Sequence, residues 1–98
     1  LIENLKIKVR KLSDQDIKLR NLPNQTNGLV ITSIEKNSPL TGSIEVNSII
    51  LEAQKKKIRS VEDLNQVLKQ VLNSNQKTIL LVTYNSQNQK RYIGVKLD

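Results

Sequence analysis

The sequence contains no cysteine and no histidine, and these two absences exclude most of the common catalytic chemistries. Without these residues a chain has no disulfides, thiol nucleophiles, zinc sites of the usual Cys/His kind, Ser-His-Asp triads or imidazole acid–base catalysis. A Ser-Lys pair or a carboxylate pair remains possible, but no pattern marks any Ser, Asp or Glu for such a role. We therefore expect this chain not to be an enzyme by itself, with no catalytic residue, no cofactor and no metal ion.

Phenylalanine, tryptophan and methionine are also absent, so a core must be built from Ile, Leu and Val. The 98 residues, 37% of them hydrophobic, are enough for one packed domain. We expect residues 1–98 to form that single domain. Because the chain opens with Leu1 and has no methionine, we also expect it to be a fragment of a larger protein. No apolar run approaches the roughly 18 residues that span a bilayer, so direct membrane insertion is not expected.

The charge is strongly basic, with 16 Lys and Arg against 9 Asp and Glu, for a net charge of +7. Such a charge attracts anionic partners, and nucleic acid must be considered among them. However, Tyr84 and Tyr92 are the only aromatic residues, which supplies a base-stacking surface poorly. The densest basic run, residues 55–59, lies where a turn is expected and is interpreted as solvated surface rather than a phosphate site. No nucleic-acid partner is therefore expected.

Hydrophobic periodicity predicts an α+β domain. Apolar residues alternate with basic ones over residues 5–12, which predicts a strand with a basic outer row. Apolar residues at helical spacing predict one long helix at about 61–73, and both Ser13 and Ser60 begin capping-box patterns. Further strands are predicted around 29–34, 49–51, 78–84 and 90–97, a brief return of the chain at Ile58, a short helix after Ser13, and a helical turn after Ser38-Pro39. The expected fold is a small curved antiparallel β-sheet or partly open barrel of five to six strands, closed by one long and one short helix.

Five short motifs follow one another in a familiar order. They are Gly28-Leu29-Val30-Ile31, Ser38-Pro39, Ile49-Ile50-Leu51-Glu52, Ser60-Val61-Glu62-Asp63-Leu64 and Tyr92-Ile93-Gly94-Val95-Lys96-Leu97. In order and spacing they resemble a PDZ domain of the bacterial HtrA/Do (DegP/DegQ-like) periplasmic serine protease family, over nearly the whole chain. The resemblance is greater to a second, C-terminal PDZ domain, because the chain stops just after its last strand. It implies a parent protein that is a trypsin-like serine endopeptidase of the bacterial periplasm.

In that family, the amides of an apolar-Gly-apolar loop hold a peptide C-terminus, and this loop falls here on Leu5-Lys6-Ile7. Lysine reaches positive φ less easily than glycine, so the substitution at Lys6 predicts a distorted or missing nest of amides. Two other turns that usually carry glycine appear as Asn47-Ser48 and Gln54-Lys55. An alternative position for the loop is Tyr92-Ile93-Gly94-Val95; if those residues form a closing strand instead, Gly94 is expected at a close-packing or bulge position.

The resemblance implies that an extended peptide pairs with the first strand beside the long helix. The candidate peptide-binding residues are Leu5, Lys6, Ile7, Lys8, Val9 and Arg10 on the strand, and Leu64, Val67, Leu68 and Val71 on the helix. The helix residues must also serve the core. Two functions remain open: a non-catalytic module that recruits peptide or unfolded protein segments or regulates assembly, and a diverged structural or oligomerisation module that no longer binds peptide C-termini. Other domains or subunits of the parent protease are expected partners in both cases.

Overall fold

The computed structural model describes residues 2–97, which form six strands and two helices. In chain order these elements are β1 (Ile7–Lys11), α1 (Asp14–Leu19), β2 (Leu29–Ile34), β3 (Ile49–Ala53), β4 (Lys56–Lys57), α2 (Val61–Asn73), β5 (Thr78–Tyr84) and β6 (Lys90–Lys96). All strand pairs are antiparallel, in the order β1-β2-β3-β5-β6, and the short β4 pairs with the end of β3. This arrangement confirms the predicted α+β class, with one long and one short helix.

The two helices begin at the predicted serines, but their caps differ. At α1 the capping box is complete: Ser13 Oγ accepts a hydrogen bond from the Asp16 amide, and the Asp16 carboxylate accepts one from the Ser13 amide. At α2 the Ser60 hydroxyl accepts from the Asp63 amide, whereas the Asp63 carboxylate accepts from the Arg59 amide. The second cap is therefore only half of the predicted box, because the carboxylate reaches one residue beyond the cap.

The segment after Ser38-Pro39 is a series of turns, and the first is the predicted short turn, in which the Thr41 amide donates to the Ser38 carbonyl at 3.1 Å. The amides of Ser43 and Ile44 both donate to the Leu40 carbonyl, so a turn starts there. Gly42 then adopts a φ of +85°, which is incompatible with a right-handed helix.

The first strand is shorter than predicted, since Leu5 and Lys6 lie in the turn before β1 and Leu12 lies after it.

Two apolar clusters cover the two faces of the sheet. The larger one contains the buried stripe of α2 together with alternate residues of β2, such as Leu29 and Ile31. The smaller one contains Val30 and Ile49, which point to the opposite face, together with Leu12 and Leu22. Leu64 and Leu81, which we expect to be among the most buried residues, are both 0% exposed.

Arg20 connects three parts of the chain that the sequence gives no reason to associate. Its guanidinium donates hydrogen bonds to the carbonyls of Asn47 and Asn85, both at 2.7 Å, and to Asn88 Oδ1 at 2.8 Å. The Asn88 side-chain amide donates back to the Arg20 carbonyl. The end of α1 is thereby fixed to the turn before β3 and to the β5–β6 turn.

Across residues 2–97, no helix combines the length and the apolar character that crossing a membrane requires. The same residues contain no group of three Asp or Glu side chains arranged to hold a metal ion.

Candidate peptide-binding site

β1 is an outermost strand of the sheet and leaves one of its edges largely unpaired. Its inner edge pairs with β2, where Thr32 is an extra residue that forms a bulge between the positions opposite Lys8 and Val9. Because the extra residue lies on β2, β1 itself remains regular. Among residues 2–97, only Ile2 pairs with the outer edge, through an isolated bridge to Ile7. From Lys8 onward, the outer edge is available within the described part of the chain.

The apolar candidate residues lie together between β1 and α2. Leu5 and Ile7, both 0% exposed, share one buried cluster with the α2 stripe, and Val9 packs against that cluster. The α2 members are Leu64, Val67, Leu68 and Val71, each at most 5% exposed. The structure therefore assembles seven of the ten candidates, and it uses the four helix residues in the core as well.

The basic candidates differ from one another in their surroundings. Lys8 is exposed and Lys6 is half-buried. Arg10 is exposed too, but its guanidinium donates two hydrogen bonds to the Asp16 carboxylate, at 2.6 and 2.8 Å. This hydrogen-bonded guanidinium, together with the Ser13 amide and hydroxyl, holds the pKa of Asp16 well below its usual range. Asp16 neutralises Arg10, whereas Lys6 and Lys8 form no ion pair within the part of the chain that the structure describes.

The backbone of Leu5-Lys6-Ile7 forms a nest of amides despite the missing glycine. Lys6 has a φ of +53°, in the left-handed region that glycine usually occupies. The amides of Leu5, Lys6 and Ile7 all donate to one point, the Ile2 carbonyl oxygen, at 3.2, 2.7 and 3.4 Å. The expected distortion is therefore not found. Three converging N–H groups are the geometry that binds an anionic oxygen.

Ile2 is the residue at this site that the sequence gives no reason to select. Besides accepting from the three amides, it donates its own N–H to the Ile7 carbonyl at 2.7 Å. Its side chain is 1% exposed and belongs to the same cluster as Leu5, Ile7 and the α2 stripe. Two exposed polar residues, Glu3 and Asn4, separate it from Leu5, so no periodic pattern links it to the strand.

The alternative loop position, Tyr92-Ile93-Gly94-Val95, is wrong because these residues lie inside β6. They pair in continuous register with β5, with Tyr92 opposite Val82 and Val95 opposite Ile79. Gly94 is not at a bulge, and a Cβ built on it would meet nothing within 4 Å. The expectation of a close-packing or bulge role for this glycine is therefore also wrong.

The other positions without the usual glycine keep a glycine-like backbone as well. Asn47 has a φ of +74°, and Gln54 and Lys55 have φ values of +52° and +66°. In the basic run, Lys55, Lys56 and Lys57 are exposed at the β3–β4 hairpin, while Ile58 is 0% exposed. This run is surface, as predicted.

Comparison with known proteins finds bacterial serine endoproteases among the relatives of this chain. No family model matches it. It is 33% identical over 82 residues to a "probable periplasmic serine endoprotease DegP-like" of Chlamydia pneumoniae, covering 83% of the chain and 16% of that protein. It is 29% identical over 99 aligned positions to the protein of the same description from Chlamydia muridarum, covering 99% and 19%. The chain thus spans less than a fifth of the relatives it matches.

Solved structures agree with these relatives at the level of the fold. A structure of the "HtrA-type protease AlgW with decapeptide" superposes with a TM-score of 0.71 at 20% sequence identity, covering 95% of this chain and 28% of that one. A substituted form of AlgW, also with decapeptide, gives a TM-score of 0.73 at 18% identity. The predicted resemblance is confirmed: the chain is a PDZ-like domain related to the DegP-like serine endoproteases of the HtrA type.

Proposed function

We propose that this chain is the peptide-binding module of a DegP-like serine endoprotease and takes no part in bond cleavage itself. Residues 1–98 would form one domain, the second PDZ domain of a periplasmic parent protein. The observation that carries the proposal is the open outer edge of β1, which begins at three amides converging on one point. A sheet edge that starts at such a nest suits a peptide C-terminus.

The peptide would bind as an additional antiparallel strand. The N–H and C=O of Ile7 point to the outer edge, because both are hydrogen-bonded to Ile2. Backbone groups alternate along a strand, so those of Val9 also point outward, where no strand among residues 2–97 pairs with them. The terminal carboxylate would lie in the nest of Leu5, Lys6 and Ile7, where charge-assisted hydrogen bonds are stronger than neutral ones.

Side chains would set the peptide preference. The last residue would be apolar, since the cluster between β1 and α2 contains Leu5, Leu64 and Leu68. Lys6 and Lys8 would favour acidic residues behind that end, whereas Arg10 would add little because Asp16 already binds it. Physiological salt screens such exposed charges over a Debye length of about 8 Å.

The relatives support the parent and the location that we propose. They are described as periplasmic serine endoproteases, and the AlgW structures contain a decapeptide. By this analogy the ligands would be substrate or unfolded protein segments, or peptide segments of other domains or subunits of the same protease. The role would be to recruit substrate or to regulate assembly.

A second candidate function is a structural or oligomerisation module, and one observation favours it. The three nest amides are already bonded within the chain, to the Ile2 carbonyl. If that contact is permanent, the site cannot receive a peptide terminus.

Titration of the isotope-labelled chain with peptides ending in Val, Leu or Ile decides between the two. We expect amide shifts along residues 5–12 and 61–72, with a dissociation constant of about tens of micromolar or weaker, near 6 kcal/mol. Affinity should fall with rising salt, and amidation of the peptide terminus should weaken it about tenfold through the lost charge-assisted bonds.

The matched control is a peptide with the same composition and a Lys C-terminus. No shift at millimolar peptide would leave the structural role, and shifts confined to residues 55–59 would indicate a simple anion-binding patch.

A further inference from the structure

Ile2 makes the three kinds of contact that the last residue of an added peptide strand makes. Its N–H donates to the Ile7 carbonyl on the outer edge of β1, at 2.7 Å. Its carbonyl oxygen lies at the nest formed by the amides of Leu5, Lys6 and Ile7. Its side chain, 1% exposed, belongs to the apolar cluster between β1 and α2. Ile2 therefore combines pairing with β1, a carbonyl oxygen bonded by the three amides, and a buried side chain.

We infer that Ile2 is a tethered internal ligand, which keeps the peptide site closed until an external peptide displaces it. This inference rests on the function proposed above. The external ligand it implies is a peptide that ends in a branched aliphatic residue, because an isoleucine side chain already fills the apolar end of the site.

The contacts of Ile2 are suited to displacement. Ile2 pairs with β1 through a bridge to Ile7, and a peptide in its place would also meet the outward-pointing groups of Val9. The turn that closes the bridge contains Glu3 and Asn4, whose side chains are both exposed, so the turn itself loses no packing when it opens. A segment with few buried contacts opens more readily than a packed strand.

The chemistry of the nest favours the incoming peptide over Ile2. Ile2 offers the nest a neutral peptide carbonyl, whereas a chain terminus offers a carboxylate. Hydrogen bonds from N–H groups to a charged oxygen are roughly twice as strong as those to a neutral one. A peptide with a free terminus therefore gains a stronger anion contact than Ile2 makes, whereas an internal peptide segment does not.

Substitution at Ile2 tests the inference through peptide affinity. If only a fraction of molecules is open, the apparent dissociation constant equals the intrinsic one divided by that fraction. Ile2→Ala removes the buried side chain, and we expect it to bind a peptide ending in Ile about tenfold more tightly than the unchanged chain. Ile2→Val, which keeps a branched side chain, should bind as the unchanged chain does. Ile44→Ala is the control and should bind the peptide as the unchanged chain does. Ile44 belongs to the same apolar cluster, but it lines a separate surface cavity with Thr83 and Asn85.

Hydrogen exchange on the unsubstituted chain gives a second measurement that does not depend on any variant. Without peptide, the amides of Ile2 and Lys6 should both be protected, since both are hydrogen-bonded. With saturating peptide, the Ile2 amide should lose its protection, while the Lys6 amide should keep it by bonding to the ligand.

The inference would be overturned, with peptide binding left intact, if Ile2→Ala and the unchanged chain had equal affinity and the Ile2 amide stayed protected throughout. Absence of binding by every variant would instead overturn the proposed function and the inference together.

Discussion

The two outermost strands of the sheet, β1 and β6, have similar charge but different surroundings. β1 carries the exposed residues Lys8, Arg10 and Lys11, and β6 carries Lys90, Arg91 and Lys96. β6 pairs with β5 along its whole length and is exposed over most of its residues, with Tyr92 69% exposed. β1 begins at the amide nest and packs beside α2. Basic side chains protect a sheet edge from unwanted pairing, so charge alone does not make an edge a binding site.

What separates β1 from β6 is therefore the nest and the apolar cluster next to it. Ile2 is the evidence for this, because it pairs with the edge of β1 just where both features meet. A peptide that chose between the two edges would find at β1 a place for its last side chain and its terminal oxygen.

The largest effect is expected in β5, the strand that supports β6. Leu81 is 0% exposed and lies opposite Ile93 of β6, so Leu81→Ala leaves a cavity in the main cluster. We expect a loss of about 2 to 5 kcal/mol in the free energy of unfolding, measured by urea denaturation. Leu19→Ala is the control, since that side chain is 77% exposed and its loss should change little. A loss under about 1 kcal/mol for Leu81→Ala would show that the side chain is not in the core.

A smaller effect is expected at the turn that leads into β6. Arg20 donates hydrogen bonds to Asn47, Asn85 and Asn88, and Arg20→Ala removes all of them. Hydrogen bonds to charged groups contribute about 1.5 to 3 kcal/mol each when buried, and Arg20 is only partly buried, so we expect a total loss of about 1 to 3 kcal/mol. Amide exchange should rise at the β5–β6 turn and remain unchanged at β1. Arg59→Ala, at an exposed arginine, should leave the stability unchanged; an equal loss in both variants would point to net charge as the cause.

At β1 the Arg10–Asp16 pair predicts a dependence of stability on pH. The pKa of Asp16 is lowered in the folded chain by the hydrogen-bonded Arg10 guanidinium, so the contribution of the pair is present above the unfolded value of about 3.9. It is lost as the pH falls from about 5 toward the lower folded value, because protons then bind more strongly to the unfolded chain. Arg10 is 49% exposed, so screening by solvent limits the contribution to about 1 kcal/mol. Denaturation of Asp16→Asn should show a weaker acid dependence than the unchanged chain, and an identical dependence would contradict this account.

The smallest effect is expected at Lys6, where β1 and the nest meet. Because Lys6 has a φ of +53°, Lys6→Gly removes strain but adds freedom to the unfolded chain. The strain of an L-residue in this region is about 1 to 2 kcal/mol, so we expect a net gain of about 0.5 to 1 kcal/mol. Lys8→Gly inside β1 should instead lose stability by a similar amount. A loss at both positions would mean that the Lys6 side chain makes a stabilising contact of its own.

Elements with a strong local signal are the ones that the sequence predicts well. The helix predicted at about 61–73 is observed at Val61–Asn73, and the strand predicted at 78–84 is observed at Thr78–Tyr84. In both, several side chains repeat one period, and a Ser or a cluster of polar residues marks the end. The apolar candidates of the site are likewise selected from periodic patterns, in residues 5–9 and in α2.

Features outside any repeating pattern are the ones that the sequence does not predict. Lys6 adopts a glycine-like φ because its amide and its neighbours bond to Ile2, and local preference alone predicts the opposite. The buried position of Ile2 depends on a turn of two polar residues, and the hydrogen bonds of Arg20 reach residues up to 68 positions away. Neither Ile2 nor Arg20 belongs to a repeating pattern, so no periodicity identifies them.

The turn residues with a left-handed backbone also differ in the hydrogen bonds that their side chains make. Asn88 holds Arg20, and the Gln54 side chain accepts a hydrogen bond from the Leu80 amide at 2.7 Å. Lys55, at a φ of +66°, is exposed, and no hydrogen bond of its side chain is observed within residues 2–97. Distant substitutions usually add in free energy, so glycine at positions 6 and 55 together would raise the melting temperature while leaving every core contact in place. We therefore expect Lys6→Gly combined with Lys55→Gly to make the chain more resistant to heat through its turns alone, with its interior unchanged.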